Sequence, residues 1–222
     1  MARNQRRTDA VVVIGLGRFG ESVALELMEQ HIDVLGIDGD IRLVDALSGR
    51  LTQVVSADST NEEALRQLSV HEFDRAVIAI GSHIESSILT TSVVLGLGVP
   101  HVWAKAISHA HARILAQIGA HHVVRPEHDM GKRVAHLVGG RMMEYIEFED
   151  GFAMAKTNPP NRLLGHPLGR TGVRSEHGVT VVAIKRPGQD FTYATAETVI
   201  EPGDTIIVSG ATTEVEKFSE LT

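Results

Sequence analysis

The 222 residues, 43% hydrophobic and 22% charged, suit one α/β domain of ordinary size with a smaller companion. The formal charge of -7 argues against a nucleic-acid partner, since a surface that tracks phosphates is normally basic. The chain has no cysteine, which excludes disulfides, zinc thiolates and thiol catalysis and fits a reducing cytoplasm; no apolar run reaches the roughly 18 residues that span a bilayer, and the N-terminus lacks the apolar core of a secretion signal.

Residues 1–8, with Arg3, Arg6 and Arg7, read as a flexible basic tail. Val11 to Ile14 is a β-branched run, the pattern of a strand covered on both faces. From Glu21 the period becomes helical through Val23, Leu27 and Met28. The alternation then repeats: Val34 to Ile37 as a strand, Ile41 to Leu51 as a helix, Gln53 to Val55 as a strand. Ser59 with Glu62, or Thr60 with Glu63, has the form of a capping box opening a helix through Leu68. Ala76 to Ile80 is the next strand, and Ser82 with Glu85 offers a cap for a helix containing Ile88, Leu89, Val93 and Val94. Val99 to Ala106, a helix from Ser108 to Gly119, and His122 to Arg125 complete six strands alternating with helices.

That alternation predicts a Rossmann-like, doubly wound parallel sheet over residues 9–139, because parallel neighbours need crossovers and crossovers are right-handed. Asp129 to Met143 reads as a connecting helix loosened at Gly139-Gly140. Beyond it, short strands at Tyr145 to Phe148, Ala153 to Lys156, Thr180 to Lys185 and Thr205 to Ser209 are broken by Pro159-Pro160, Pro167, Pro187-Gly188 and Pro202-Gly203. Residues 140–222 form a small α+β unit expected to pack against a second copy of itself, since alone it has little surface to bury.

The loop Gly15, Leu16, Gly17, Arg18, Phe19, Gly20 is a G-x-G-x-x-G in its informative setting, between a strand and a helix. The first glycine permits the turn, the second lets backbone approach a pyrophosphate, and the third brings helix and strand together. The helix start adds unpaired N–H groups and partial positive charge. Asp38, at the end of the second strand, stands roughly 20 residues on, where a carboxylate accepts ribose hydroxyls and repels a 2′-phosphate; the bland alternative is a turn aspartate. Ala57 and Asp58 border the adenine position, with Asp58 either accepting from its amine or merely flanking a helix. Ile80 and Gly81 follow the fourth strand, where glycine allows close backbone approach, and Lys105 ends the fifth, aimed at the crevice or at solvent.

Arg18 adds a full charge and a bidentate fork to a loop that already neutralises two phosphates. A third phosphate would justify it, which tilts the ligand from NAD(H) towards ATP or ADP. Some NAD-dependent sugar-phosphate dehydrogenases carry a similar arginine, and a salt bridge to Glu21 is the structural alternative. The twelve histidines supply no metal constellation: His109 and His111 diverge by roughly 200° on a helix, and His121 and His122 point to opposite faces of a strand.

Several stretches together resemble one family: "VIGLGRFGESVALEL", "AIGSHIESSILTT", "AKAISHAHARILAQIGAHHVVRPEHDMGKRVA" and "GVRSEHGVTVVAIKR". They are similar to the KtrA-type regulatory subunits of bacterial Ktr potassium uptake systems, built from an RCK (TrkA-N) domain and a TrkA-C subdomain. The resemblance implies a cytoplasmic homodimer assembling into an octameric ring beneath an integral membrane potassium-translocating partner, with ATP and ADP favouring different ring shapes. It further implies that Arg18 reaches the terminal phosphate and Asp38 the ribose. Glu127, in "RPEHD", then helps hold Mg2+ or another cation; from the residues alone it is a helix-start carboxylate. In some relatives the TrkA-C dimer cleft binds cyclic di-AMP; here Leu168, Val173 and Arg174 would line it, with Thr180 and Ala196 flanking. "YATAET" at residues 193–198 departs from the proline-containing edge of those relatives.

An NAD(H)-binding oxidoreductase, or an NAD(H)-responsive RCK regulator, is the competing reading. Catalysis would require an acid–base group facing the nicotinamide. The candidates are His166 and His177, both in the TrkA-C-like region, so no enzymatic activity is expected.

Overall fold

The computed structural model describes residues 7–139 and 142–221, with backbone alone at Arg7, Thr8 and Glu149. The expected basic tail up to residue 6, and Gly140 of the expected loosening, lie outside the described residues. The chain divides into two units, one ending at Glu127 and the other beginning at His128.

The first unit runs β1 (Arg7–Ile14), α1 (Arg18–Glu29), β2 (Asp33–Asp38), α2 (Ile41–Leu47), β3 (Gln53–Ser56), α3 (Glu62–Gln67), β4 (Phe73–Ile78), α4 (Ile84–Gly96), β5 (His101–Lys105), α5 (His109–Gln117) and β6 (His122–Val124). The strands form a parallel sheet in the order β3-β2-β1-β4-β5-β6, so the winding reverses between β1 and β4. β1 includes Arg7 and Thr8, two residues before the expected start of the domain. Its β-branched run is buried throughout, with Val12, Val13 and Ile14 fully enclosed. Two layers of helix make that possible. Val11, Val13, Val34 and Leu16 pack with Ala24 of α1 and Leu47 of α2. Val12, Ile14, Ile37 and Ile78 pack with Leu65 of α3, Val94 of α4 and Leu115 of α5. Right-handed crossovers leading in opposite directions from β1 place the two helix sets on opposite faces.

The register puts Val55, Ile37, Ile14, Ile78, Ala104 and Val123 in one row across the sheet. All six strands therefore deliver their following loops to a single edge. Helix caps at that edge differ from the sequence reading in two places. α3 is capped by Asn61, whose side-chain oxygen accepts from the amides of Glu63 and Ala64. Ser59 is instead held by Thr90 of α4 at 2.9 Å. Ser82 does not cap α4 either; His83 is its N-cap residue and supplies no side-chain acceptor. Ser108 does cap α5, accepting from the His111 amide at 3.1 Å.

The second unit takes in nearly all of α6 (Pro126–Val138), then β7 (Glu144–Glu147), β8 (Phe152–Thr157), α7 (Val173–His177), β9 (Val179–Lys185), β10 (Thr192–Tyr193), β11 (Thr205–Ala211) and α8 (Thr212–Ser219). The division falls before the expected residue 139 because α6 makes its polar contacts onward, Lys132 with Glu147 at 3.3 Å and His136 with Glu216 at 3.6 Å. The helix also stops at Val138, short of the expected Met143, whose backbone N–H instead reaches Lys156 on β8. The strands form an antiparallel sheet in the order β10-β9-β11-β8-β7. Ala153, Ala155, Val179, Val208 and Ile206 alternate inward to meet Val215 and Phe218 of α8.

Candidate functional site

The three glycines of the first loop divide by what surrounds them. Gly15 has φ +93°, and a side chain there would meet Ile80 N at 2.9 Å and Ala79 C at 3.0 Å. Gly20 packs α1 onto β1 so tightly that an added Cβ would lie 1.8 Å from the Gly15 carbonyl oxygen. Those two are demanded by the fold. At Gly17, which is exposed, an added Cβ would meet nothing within 4 Å. Packing of the described residues does not require glycine there; backbone approach by a ligand would.

Asp38 closes β2 and is drawn into the same loop. One carboxylate oxygen accepts from the Leu16 amide at 2.6 Å and the other from the Asp40 amide at 2.8 Å. Two backbone donors fix the carboxylate in position, and its remaining lone pairs are left for further donors such as ribose hydroxyls. Asp58 is more locally employed: its Oδ1 accepts from both the amide and the hydroxyl of Thr60, and these bonds hold its carboxyl below the ordinary carboxylate range. Ala57 donates its amide to the Asp38 carbonyl at 3.1 Å, tying the exits of β2 and β3 together.

Helix capping along this edge is selective. α2, α3 and α5 are capped by Asp40, Asn61 and Ser108. The N-cap residues of α1 and α4, Gly17 and His83, supply no side-chain acceptor. These two helices follow β1 and β4, the pair between which the sheet reverses, where open α/β sheets bind their ligands. Among the described residues no N-cap side chain serves these two helix starts, and both bring the partial positive charge of a helix N-terminus to the edge where the sheet reverses, which suits an anion.

The side chains add to it. Arg18 is the first residue of α1, earlier than the expected helical start at Glu21, and is exposed. The expected alternative bridge to Glu21 is absent among the described residues; Glu21 pairs with Arg50 at 3.3 Å. Lys105 is buried at the end of β5, with its ammonium 2.6 Å from Glu127 Oε1 and 5.4 Å from the centre of the Phe19 ring. A Cβ on Gly81 would stand 3.3 Å from that ammonium, so glycine leaves its path clear. The hydrogen bond from Lys105 holds the Glu127 carboxyl below its ordinary range, and the charge of Arg18 acts in the same sense.

Among the described residues no group of three or more histidine, aspartate or glutamate side chains is placed to hold a metal ion. Glu127 is a single carboxylate, already engaged by Lys105, so a magnesium ion here would take most of its shell from phosphate oxygens and water. His109 lies against Arg125 at 2.9 Å while His111 is buried, which keeps them apart as the helical spacing requires.

The residues expected at a second ligand lie in the second unit and are unevenly disposed. Leu168 and Val173 are buried in its core with Ile200 and Phe218. Arg174 and Ala196 are exposed, and Thr180 pairs with Ser209 across β9 and β11. Gly169 donates to the Ala196 carbonyl at 2.8 Å, which brings Ala196 beside Leu168.

Residues 11–126 match the TrkA-N domain and residues 153–222 the TrkA-C domain. The chain is 36% identical over 209 residues to Ktr system potassium uptake protein C of Bacillus subtilis (strain 168), covering 94% of this chain and 95% of that protein. It is 37% identical over 199 residues to Ktr system potassium uptake protein A of Vibrio alginolyticus, covering 89% and 90%. In fold it is similar to the GsuK channel bound to NAD, with a TM-score of 0.65 and 16% identity over 100% of this chain and 40% of that one. GsuK bound to ADP gives a TM-score of 0.52 and 14% identity over 61% and 35%. With both domain patterns matched and full-length relatives above 30% identity, the chain belongs to the TrkA-N/TrkA-C family of the Ktr potassium uptake proteins.

Proposed function

We propose that this chain is a ligand-controlled regulatory subunit of a potassium uptake system, not an enzyme, and that its ligand is an adenine nucleotide held where the parallel sheet reverses. The observation that carries this reading is the pair of uncapped helix starts, α1 and α4, flanking the reversal with Arg18 exposed beside them. Kinship with the Ktr proteins supplies the transport context: a cytoplasmic protein acting on a membrane-embedded potassium-translocating partner. No helix among the described residues is long and apolar enough to cross a membrane, so the partner would provide the pore.

In this reading Asp38 takes the ribose, the amides of α1 and α4 take the first phosphates, and Arg18 senses whether a last phosphate is present. ATP and ADP then favour different shapes of an octameric ring built from dimers, since a ligand with equal affinity for two states shifts nothing. A response to NAD(H) is the second reading; the fixed Asp38 carboxylate suits the ribose of any adenosine ligand, and the similar GsuK fold has been seen with NAD.

Calorimetric titration of nucleotide-free protein with ATP, ADP, NADH and cyclic di-AMP, with and without magnesium, tests these together. The expected result is binding of ATP and ADP with distinct affinities and distinct assembly by light scattering. NADH binding alone, with turnover of a hydride acceptor, would replace the regulatory reading by the enzymatic one.

A further inference from the structure

Lys105 stands between three pieces of the nucleotide edge. Its stem is buried at the end of β5, so its ammonium reaches only what comes to that edge. That ammonium lies near Phe19 of the β1 loop, beside the clearance left by Gly81 of the β4 loop, and against Glu127 of α6. Of its three donors, one makes a hydrogen bond among the described residues, to Glu127. The two partners are unequal in their surroundings: the Lys105 side chain is 10% exposed and that of Glu127 66%.

We infer that the Lys105–Glu127 pair is an exchange element, in which a phosphate arriving between the β1 and β4 loops takes the Lys105 ammonium and sets Glu127 free. This rests on the adenine-nucleotide reading above and adds how occupancy is passed on. A phosphate carries more charge than a carboxylate and offers several acceptors to the ammonium. The exposed Glu127 loses little by returning to water, whereas a buried ammonium left unpaired would be costly. Exchange is therefore favourable only when phosphate is present. Glu127 is the second residue of α6, the helix that carries the chain into the second unit, so the helix start gains or loses a tether according to ligand. The freed carboxylate still suits a helix N-terminus, so α6 persists as a helix while its untied first turn opens more often.

The sign of one substitution distinguishes this from a cation-holding role for Glu127. Titrating the full chain with ADP in EDTA, Glu127→Gln should bind about three- to tenfold more tightly than wild type, because the competitor for Lys105 is gone. Lys105→Met should bind more weakly, and adding Glu127→Gln to it should produce no tightening. Lys105→Arg should restore that tightening. Weaker or unchanged binding by Glu127→Gln overturns the exchange, and so does tightening that persists without Lys105, which would mean simple charge repulsion. Hydrogen exchange on wild type decides independently should Lys105→Met fail to fold: ADP should speed exchange at residues 130–132, and slowing or no change there overturns the exchange. If wild type binds neither ADP nor ATP, the functional reading falls and the exchange with it; binding with the wrong sign for Glu127→Gln sinks the exchange alone.

Discussion

Gly20 of α1 faces the Gly15 carbonyl across a gap that admits no methyl group, since a Cβ on Gly20 would lie 1.8 Å from that oxygen. The same loop tolerates a methyl at Gly17, where nothing stands within 4 Å. Gly20→Ala should therefore destabilise the first unit by about 3 kcal/mol or more through overpacking. Gly17→Ala should melt near wild type yet lose most nucleotide affinity. Thermal melts and ADP titration of the two variants check this; equal melting points would mean that the helix–strand contact relaxes, and full affinity in Gly17→Ala would remove the phosphate from that position.

Arg18→Ala should weaken ATP about tenfold more than ADP, if the guanidinium addresses a phosphate that ADP lacks. The exposed side chain makes this a ligand effect with little cost in stability. Equal losses for both nucleotides, read by calorimetry, would take Arg18 out of the sensing mechanism.

Asp38 serves fold and ligand together. Asp38→Ala deprives the Leu16 and Asp40 amides of their acceptor, at a cost of about 1–3 kcal/mol, and should weaken ATP, ADP and NADH by the same factor. Losses that differ among the three ligands would show that the carboxylate does not read the ribose they share.

His111 sets a pH limit on the first unit. Its side chain is buried, Nδ1 accepts from the Ile107 amide at 3.4 Å, and Nε2 has no partner among the described residues. Burial lowers its pKa from the ordinary 6.5, so the unfolded chain binds the proton more readily than the folded one. The stability this gives is present in full above pH 6.5 and is lost as pH falls below that value through the folded pKa. In urea titrations across that range, wild type should lose stability relative to His111→Phe as the pH is lowered. Parallel curves would show that His111 takes up its proton alike in the folded and unfolded chains.

The parallel sheet was readable because Val11 to Ile14 is a β-branched run that two covering layers explain, and because apolar strands then alternate with helices along the chain. Glycine spacing likewise located the loop, and the residues singled out at strand ends do share one edge. Capping was misread where a tertiary contact intervened: Ser59 has the local pattern of a cap, but Thr90 of α4 takes its hydroxyl and Asn61 does the capping. β10 is two residues long and leaves no periodic trace. Neither Lys105 nor Glu127 announced its partner, because they are 22 positions apart and meet only once β5 and β6 are paired. Leu168 and Val173 enter as a ligand surface only through the family resemblance, since apolar residues of this kind suit a core equally, and in the fold both are buried in their own unit.

The reversal of strand order gives the first unit two halves, β3-β2-β1 and β4-β5-β6, that meet along a seam. Both bare helix starts open at that seam, one on each side. A molecule gripped by both would act as a clasp across the middle of the sheet. On the adenine-nucleotide proposal, its length in phosphates would then set how firmly one half is braced against the other.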